Sequence, residues 1–520
     1  MRILFSVRNP SYVRHYESVL RALAARGHEV MLVTERPEKK GWPPSVHALA
    51  EDCPSISLSR MPVVANEPWW ELACRLRQAR FYLRFLEPEY RGTPALLIRA
   101  RQRAPKPAIW LAESLPFGRS WRRLLVRGLD LLDRATRTAS AFHDYLRRLA
   151  PDVVVMTPLV VLKTSQLDMG RAALELGVRN TFAVASWDNL SSKGDLTFQP
   201  QQVIVWNDVQ KREAVELHGV DPARVVVTGA QLFDDWFERQ PSTSREAFCA
   251  KVGLRADRPI VLYVCSALLE GSPPEPDFVV RWVRQLRSSP HSAVRECGIL
   301  IRPHFKRGEE WPAVSFAGLE NVVCWPPIGA VPVDASSKTD YFDSLFHATA
   351  VVGLNTSAMI EAAILGRSVH TVLLPEFHGS QEGTVHFHYL LTGPDALLHA
   401  ARSLDAHASD LAQVLEGRDT DPTRSARFVR AFVRPGAPDR RATDRVVDTL
   451  ETLAASPAPA PVPVPMWTSF VRPMLRPFAR GAIERLEGIK AERTRVKNEQ
   501  LAEHRRRKAE ALAARRATPQ

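Results

Sequence analysis

Segment 353–369, GLNTSAMIEAAILGRSV, gathers small amide and hydroxyl side chains where an apolar strand gives way to a helix. Asn355, Thr356 and Ser357 fall at that junction, where backbone N–H groups without helical partners and two hydroxyls suit an anion such as a diphosphate. Glu361 lies one turn further along and can accept hydrogen bonds from ribose hydroxyls. The same spacing fits a plain helix cap with Glu361 on the surface. A second cluster, IRPHF at 301–305, also follows a strand. Arg302 offers phosphate a planar fork, and His304 a hydrogen bond or a proton, though a surface turn would read the same way. The loop SWDNLSSKG at 186–194 sets Asp188, Asn189 and Lys193 beside Trp187. Polar groups around an apolar plate suit sugar recognition, with Asp188 as a base; local backbone bonding is the alternative. His386 and His388 alternate along an extended stretch and would share one face. No third ligand stands at a supporting spacing, so packing or substrate contact near Gln381 and Glu382 is expected and a metal is not.

These clusters need elements to position them. An apolar strand at 3–7 leads through the loop RNPSYVRH (8–15) into a helix with Tyr16, Val19, Leu20 and Leu23 on one face, ended by Gly27, and then a second strand at 30–33. Short apolar runs at 153–156, 182–185, 203–205 and 225–227 alternate with helical stretches, as a buried parallel sheet requires. A second series begins at 260–264 and continues through 299–301, 322–324, 350–354 and 369–374. The expected fold class is α/β, two Rossmann-like domains facing a cleft. Ligands of such sheets bind at the carboxyl ends of the strands. The first domain is assigned to 1–235, with a helical insertion at 66–148 rich in Arg, Trp and Leu, and the second to 236–455. SPAPAPVPVP marks a linker over 456–466, expected to be an extended semi-rigid spacer, before a basic helical tail at 467–520.

Six scattered cysteines without a CxxC pair argue for a reducing compartment and against a disulfide framework or structural zinc. The opening residues run straight into a strand, and no apolar stretch is long enough to span a bilayer. A cytoplasmic protein is expected. The net charge of +13 favours anionic partners, and its placement narrows them: the tail holds 14 Lys and Arg, among them Arg505, Arg506, Arg507 and Lys508, against 6 Glu. With Trp, Phe and Leu interleaved with Arg in the insertion, this points to peripheral contact with an anionic membrane surface, the alternative being core aromatics and a solvated charged face. Nucleic acid is not expected, because the tail offers only Trp467, Phe470 and Phe478 for stacking.

Segment 353–369 and the run VVVTGAQLFD at 225–234 resemble the GT-B glycosyltransferases, a fold shared with the UDP-N-acetylglucosamine 2-epimerases and the CDP-glycerol glycerophosphotransferases. The resemblance spans about 1–452. It implies nucleotide diphosphate binding by Asn355, Thr356 and Ser357, ribose binding by Glu361, and donor contacts from Arg302 and His304, whose basic-Pro-His turn is similar to that of the glycerophosphotransferase branch. It further implies a catalytic base on the first domain beside the cleft, for which His15 is the candidate by position and Asp188 the second, with Arg8 and Arg14 as anion contacts. The implied activity is sugar transfer from a nucleotide-sugar donor to a surface-glycan or lipid-linked acceptor in cell-envelope polysaccharide synthesis, with no metal or other cofactor. Glycerophosphate transfer, 2-epimerisation and a non-catalytic membrane-associated scaffold are the alternatives.

Overall fold

The computed structural model describes residues 1–35, 41–64, 67–113, 118–269, 271–329 and 334–517. Residue 66, the assigned start of the insertion, and the side chains of Arg505, Arg506, Arg507 and Lys508 lie outside that description.

Long runs of Val, Ile and Leu are stable only where both faces of a sheet are covered, and the chain builds two such sheets. The first contains β1 (Arg2–Val7), β2 (Glu29–Thr34), β3 (Ile56–Arg60), β4 (Val153–Thr157), β5 (Arg179–Ala183), β6 (Gln202–Val205) and β7 (Val225–Val227). The second contains β8 (Ile260–Val264), β9 (Gly298–Arg302), β10 (Val322–Cys324), β11 (Ala350–Gly353), β12 (Ser368–Val372) and β13 (His399–Ala401). Their orders are β3-β2-β1-β4-β5-β6-β7 and β10-β9-β8-β11-β12-β13, parallel throughout. Every residue of β4, β8 and β9 is buried. The chain reverses direction across each sheet between β1 and β4 and between β8 and β11, which fixes one crevice per sheet at the strands' carboxyl ends. This is the expected two-domain α/β fold of GT-B type. The edge strands β3 and β13 went unread in the sequence because ISLSR and HAA lack a continuous apolar run.

The crossing between domains is held by one buried carboxylate. Asp234 accepts from Arg434 Nη2 at 2.6 Å and from the backbone amides of Ala442 and Thr443 at 3.1 and 2.6 Å. Gly229 (φ +90°) lets the chain turn beside that junction; a Cβ there would stand 3.0 Å from both the Val433 carbonyl and the Ala442 methyl. The helix Ala442–Ala455, which chain order grouped with the second domain, returns to the first and adds Val446, Val447 and Leu450 to the core around β1 and β2. Arg26 clamps it through Asp448 and Glu451 at 2.7 and 2.8 Å.

The proline-rich linker has neither helix nor strand over 457–465 and lies on the first domain: Val462 N donates to the Leu174 carbonyl at 2.9 Å. It delivers the helix Trp467–Ala517 to the insertion, where Val471, Leu475 and Ala479 pack with Leu72, Leu76 and Leu132. All six cysteines are unpaired. Among the described residues, no helix is long and apolar enough to cross a membrane.

Candidate functional site

On the first domain, β1 ends at Val7 and the chain enters a 3-10 turn, Pro10–His15, that presents Arg14 and His15. Gln231 Nε2, from the interdomain crossing, donates to the His15 carbonyl at 3.1 Å and fixes the turn. Arg14 Nε approaches His15 Nε2 at 3.4 Å, while Nδ1 is buried without a hydrogen-bond partner among the described residues. Burial first, and then the charge of Arg14, hold the imidazole neutral with its pKa lowered to about 3; nearby Asp188 pulls the other way. Arg8 points elsewhere, donating to the Leu162 carbonyl at 3.4 Å.

Beyond β5, the loop 186–195 packs so closely on Val160 that a Cβ at Gly194 would stand 2.8 Å from backbone atoms. Asp188 pairs with Lys193 at 2.6 Å and accepts from the Ser186 hydroxyl. Burial alone would raise its pKa, but Lys193 and His386 overcome that and hold the carboxyl well below its usual range. Asn189 turns inward and accepts from the amides of Ala185 and Ser186, and is therefore a loop support. The insertion braces this loop from outside. Arg84, at the end of the helix Pro68–Arg84, donates to the Gly194 carbonyl at 2.9 Å and pairs with Asp195 at 3.2 Å. Arg99, on the helix Pro94–Arg103, donates to the Ser192 carbonyl and lies near enough to Asp188 for their charges to interact.

On the second domain, Arg302 ends β9 almost fully buried. Its Nη1 donates to Ser344 Oγ at 2.7 Å, and its guanidinium lies between the rings of Trp325 and Tyr341 at 5.4 and 5.3 Å. Desolvation brings its pKa down to about 10, so it keeps its charge at neutral pH. Tyr341 in turn donates its hydroxyl to Glu361. Burial pushes Glu361 up to about 7, against the Tyr341 hydrogen bond and the charge of Arg14 from the opposite domain. Trp325, Tyr341 and Ser344 carry no motif and were not anticipated; they become site residues only because β10 and the helix Ala335–Phe346 pack beside Arg302.

The junction after β11 is less simple than its sequence. Asn355 N donates to Ser266 Oγ at 3.0 Å, and its side-chain amide donates to the Ser380 carbonyl at 2.6 Å. Asn355 therefore ties β8, β11 and the 375–384 turn together. The helix that follows, Ala358–Ile364, has only seven residues; Thr356 Oγ1 accepts from Ala358 N at 3.4 Å and Ser357 is exposed. The amides of Thr356 and Ser357 donate to no described residue. His304 acts as a local cap: its Nδ1 accepts from Lys306 N at 3.3 Å and its ring stacks on Phe305. Burial, then Lys306 and Arg307, hold it neutral at about 4.

His386 joins the two halves. Its ring meets Trp187 edge-on at 4.7 Å, its Nδ1 lies 3.2 Å from Ser192 Oγ, and its Nε2 lies 3.4 Å from Asn355 Nδ2. Trp187 is thereby covered and is not an open plate. His388 turns away to the Glu382 carbonyl at 2.7 Å, because the chain enters a short helix there; the shared face expected of an extended pair does not form. Gln381 is buried and donates to Leu354 O, Thr371 Oγ1 and Val372 O. Among the described residues, no group of three or more His, Cys, Asp or Glu is arranged to hold a metal ion.

No family model matches the chain, and no curated protein matches it in sequence. Solved structures do match its fold. A UDP-N-acetylglucosamine 2-epimerase candidate from Listeria monocytogenes aligns at TM-score 0.52 with 11% identity, over 88% of this chain and 98% of its own. S. aureus MnaA, solved with UDP, aligns at TM-score 0.50 with 10% identity, over 87% and 96%. A glycosyltransferase from Rickettsia africae aligns at TM-score 0.49 with 11% identity, over 88% and 99%. The chain thus shares its two-domain α/β architecture with the Listeria and S. aureus proteins over nearly their whole length.

Proposed function

We propose that the chain is a glycosyltransferase that moves a sugar from a nucleotide-sugar donor to a surface-glycan or lipid-linked acceptor. The observation that carries this reading is the convergence at the cleft of a neutral, partly unpartnered histidine from one domain and a buried guanidinium, aromatic and carboxyl cluster from the other. Arg302, Glu361 and the open amides of Thr356 and Ser357 bind the nucleotide diphosphate, with Trp325 and Tyr341 as aromatic walls, while Asn355 and His304 shape the turns that present them. The acceptor hydroxyl approaches from the side of His15.

In the transfer step the neutral His15 imidazole takes the hydroxyl proton on Nε2, the nitrogen that faces Arg14 Nε in the resting site, its other hydrogen being on Nδ1. The acceptor oxygen attacks the anomeric carbon, the bond from that carbon to the diphosphate oxygen breaks, and the electron pair leaves with the nucleoside diphosphate. Asp188, ionised throughout, stabilises the imidazolium that forms; Arg302 stabilises the charge that departs. A low resting pKa at His15 keeps the imidazole unprotonated until substrate arrives.

A calorimetric and thermal-shift screen against UDP, GDP, CDP, dTDP and their sugar conjugates tests the donor side. The expected result is saturable binding of one nucleotide, weakened at least roughly tenfold in Glu361→Ala and in Arg302→Ala. Binding of none overturns the reading in favour of a scaffold. A second reading, UDP-sugar 2-epimerase, draws support from the likeness to the Listeria chain. It predicts conversion of a nucleotide sugar with no acceptor present, whereas a transferase leaves the sugar unchanged until acceptor is added.

A further inference from the structure

The tail helix Trp467–Ala517 begins with two separate apolar faces. Leu475 and Ala479 are buried against the insertion, with Val471 beside them. Met466, Phe470, Met474 and Phe478, four residues apart, are 66–83% exposed. A helix that has already buried one stripe has no folding reason to carry a second one of large side chains. The neighbouring insertion helix, Gly118–Ala135, is built alike: Leu124 and Leu131 are more than half exposed, and the two helices meet through Leu132 and Ala135, with Arg472 Nε of the tail donating to the Ala135 carbonyl at 3.0 Å.

The charges on this surface have one sign. Arg123, Arg127, Arg476 and Arg480 are exposed, and none is ion-paired to a described residue. The insertion helix has no acid before Asp130, and the tail helix none before Glu484. The insertion helix's two acids face inward, Asp130 to Arg80 and Asp133 to Arg77 and Arg171.

We infer that the face shared by the insertion helix Gly118–Ala135 and the first turns of the tail helix docks on an anionic lipid bilayer, with Phe470, Met474 and Phe478 entering the headgroup boundary and the arginines meeting the lipid charges. Phe and Met between arginines suit that boundary, where apolar stems sink and guanidinium groups stay among the phosphates. A second copy of the chain would bring the same uncompensated positive charge against itself, which disfavours self-association through this face. The helix Pro68–Arg84 packs against both docking helices and ends at Arg84, which braces the 186–195 loop, so one rigid rod connects the membrane face to the cleft. This inference does not rest on the sugar-transfer reading.

The test uses the full chain in vesicle flotation, with phosphatidylcholine alone and with phosphatidylglycerol added. Wild type is expected to float only with the anionic vesicles. Binding should fall at least roughly tenfold both in Phe470→Ser/Met474→Ser/Phe478→Ser and in Arg123→Gln/Arg127→Gln/Arg476→Gln/Arg480→Gln. Because every altered side chain is exposed, both variants should keep the wild-type circular dichroism and Tm. No flotation of wild type, or undiminished flotation of both folded variants, overturns the inference. A concentration-dependent dimer that the first variant abolishes, without vesicle binding, overturns it in favour of a second copy.

Discussion

Asp188 and Glu361 both lie beyond the carboxyl ends of inner strands, one in each half of the cleft, and both are enclosed by protein. Asp188 has the Lys193 ammonium at 2.6 Å and stays ionised. Glu361 has a phenol for a partner, with Arg14 acting only at longer range, and is driven up to about 7. Burial pushes both the same way; what separates them is whether a cation stands in contact. The first half of the cleft therefore holds a fixed negative charge beside a neutral imidazole. The second holds a carboxyl that changes state near neutral pH beside a fixed positive charge. Two carboxyls whose pKa values are pushed apart across one cleft can serve different roles.

The largest effect should come from abolishing the fixed charge. Asp188→Asn should lower kcat of the proposed transfer by about 10²- to 10⁴-fold while nucleotide affinity in calorimetry stays within about twofold. An equal loss in both would mean that Asp188 supports the donor side instead.

Glu361→Gln probes the other half through stability. The folded pKa of Glu361 lies above its unfolded value, so its contribution is full below about 4.5 and is lost as pH rises through about 7. The span corresponds to about 3 kcal/mol at most. Urea unfolding at pH 5 and pH 8 should show wild type losing more stability than Glu361→Gln. Equal slopes would break the contrast with Asp188. His15, lowered to about 3, has the reverse sign: its contribution is present above about 6.5 and is lost on acidification.

Arg302→Ala removes the charge that both neighbouring rings and the proposed diphosphate face. Nucleotide affinity should fall roughly 10- to 100-fold, measured by calorimetry, with little change in Asp188-dependent chemistry. Ser266→Ala should have the smallest effect, about 1 kcal/mol in urea unfolding, from loss of the acceptor for Asn355 N.

Much of the fold was legible because buried parallel strands must be apolar on both faces. The runs at 3–7, 153–156, 260–264 and 350–354 announced β1, β4, β8 and β11, and with them both crevices. Of the four edge strands, β7 and β10 were read from their apolar runs, whereas β3 and β13 were not, because ISLSR and HAA lack such a run. Within the site, Arg302 at the end of β9 and Glu361 in the helix after β11 stood out in the sequence, but the Trp325, Tyr341 and Ser344 that surround them did not. Asn355 and His304 were equally conspicuous, yet their side chains are spent on the Ser380 carbonyl and on a local cap. Trp325, Tyr341, Arg84 and Arg99 were silent because each reaches the cleft only through packing of a separate element.

By itself the sequence determined the two apolar sheets, their α/β alternation, the insertion, the linker and the basic tail, because these follow from local hydrophobic period and charge. Only the tertiary structure decided which end helix closes the first domain, which face of the tail stays uncovered, and which of two buried carboxyls is pushed up in pKa and which down. Those outcomes depend on contacts between residues far apart in the chain: Asp234 with Arg434, Leu475 with Leu72, and Tyr341 with Glu361.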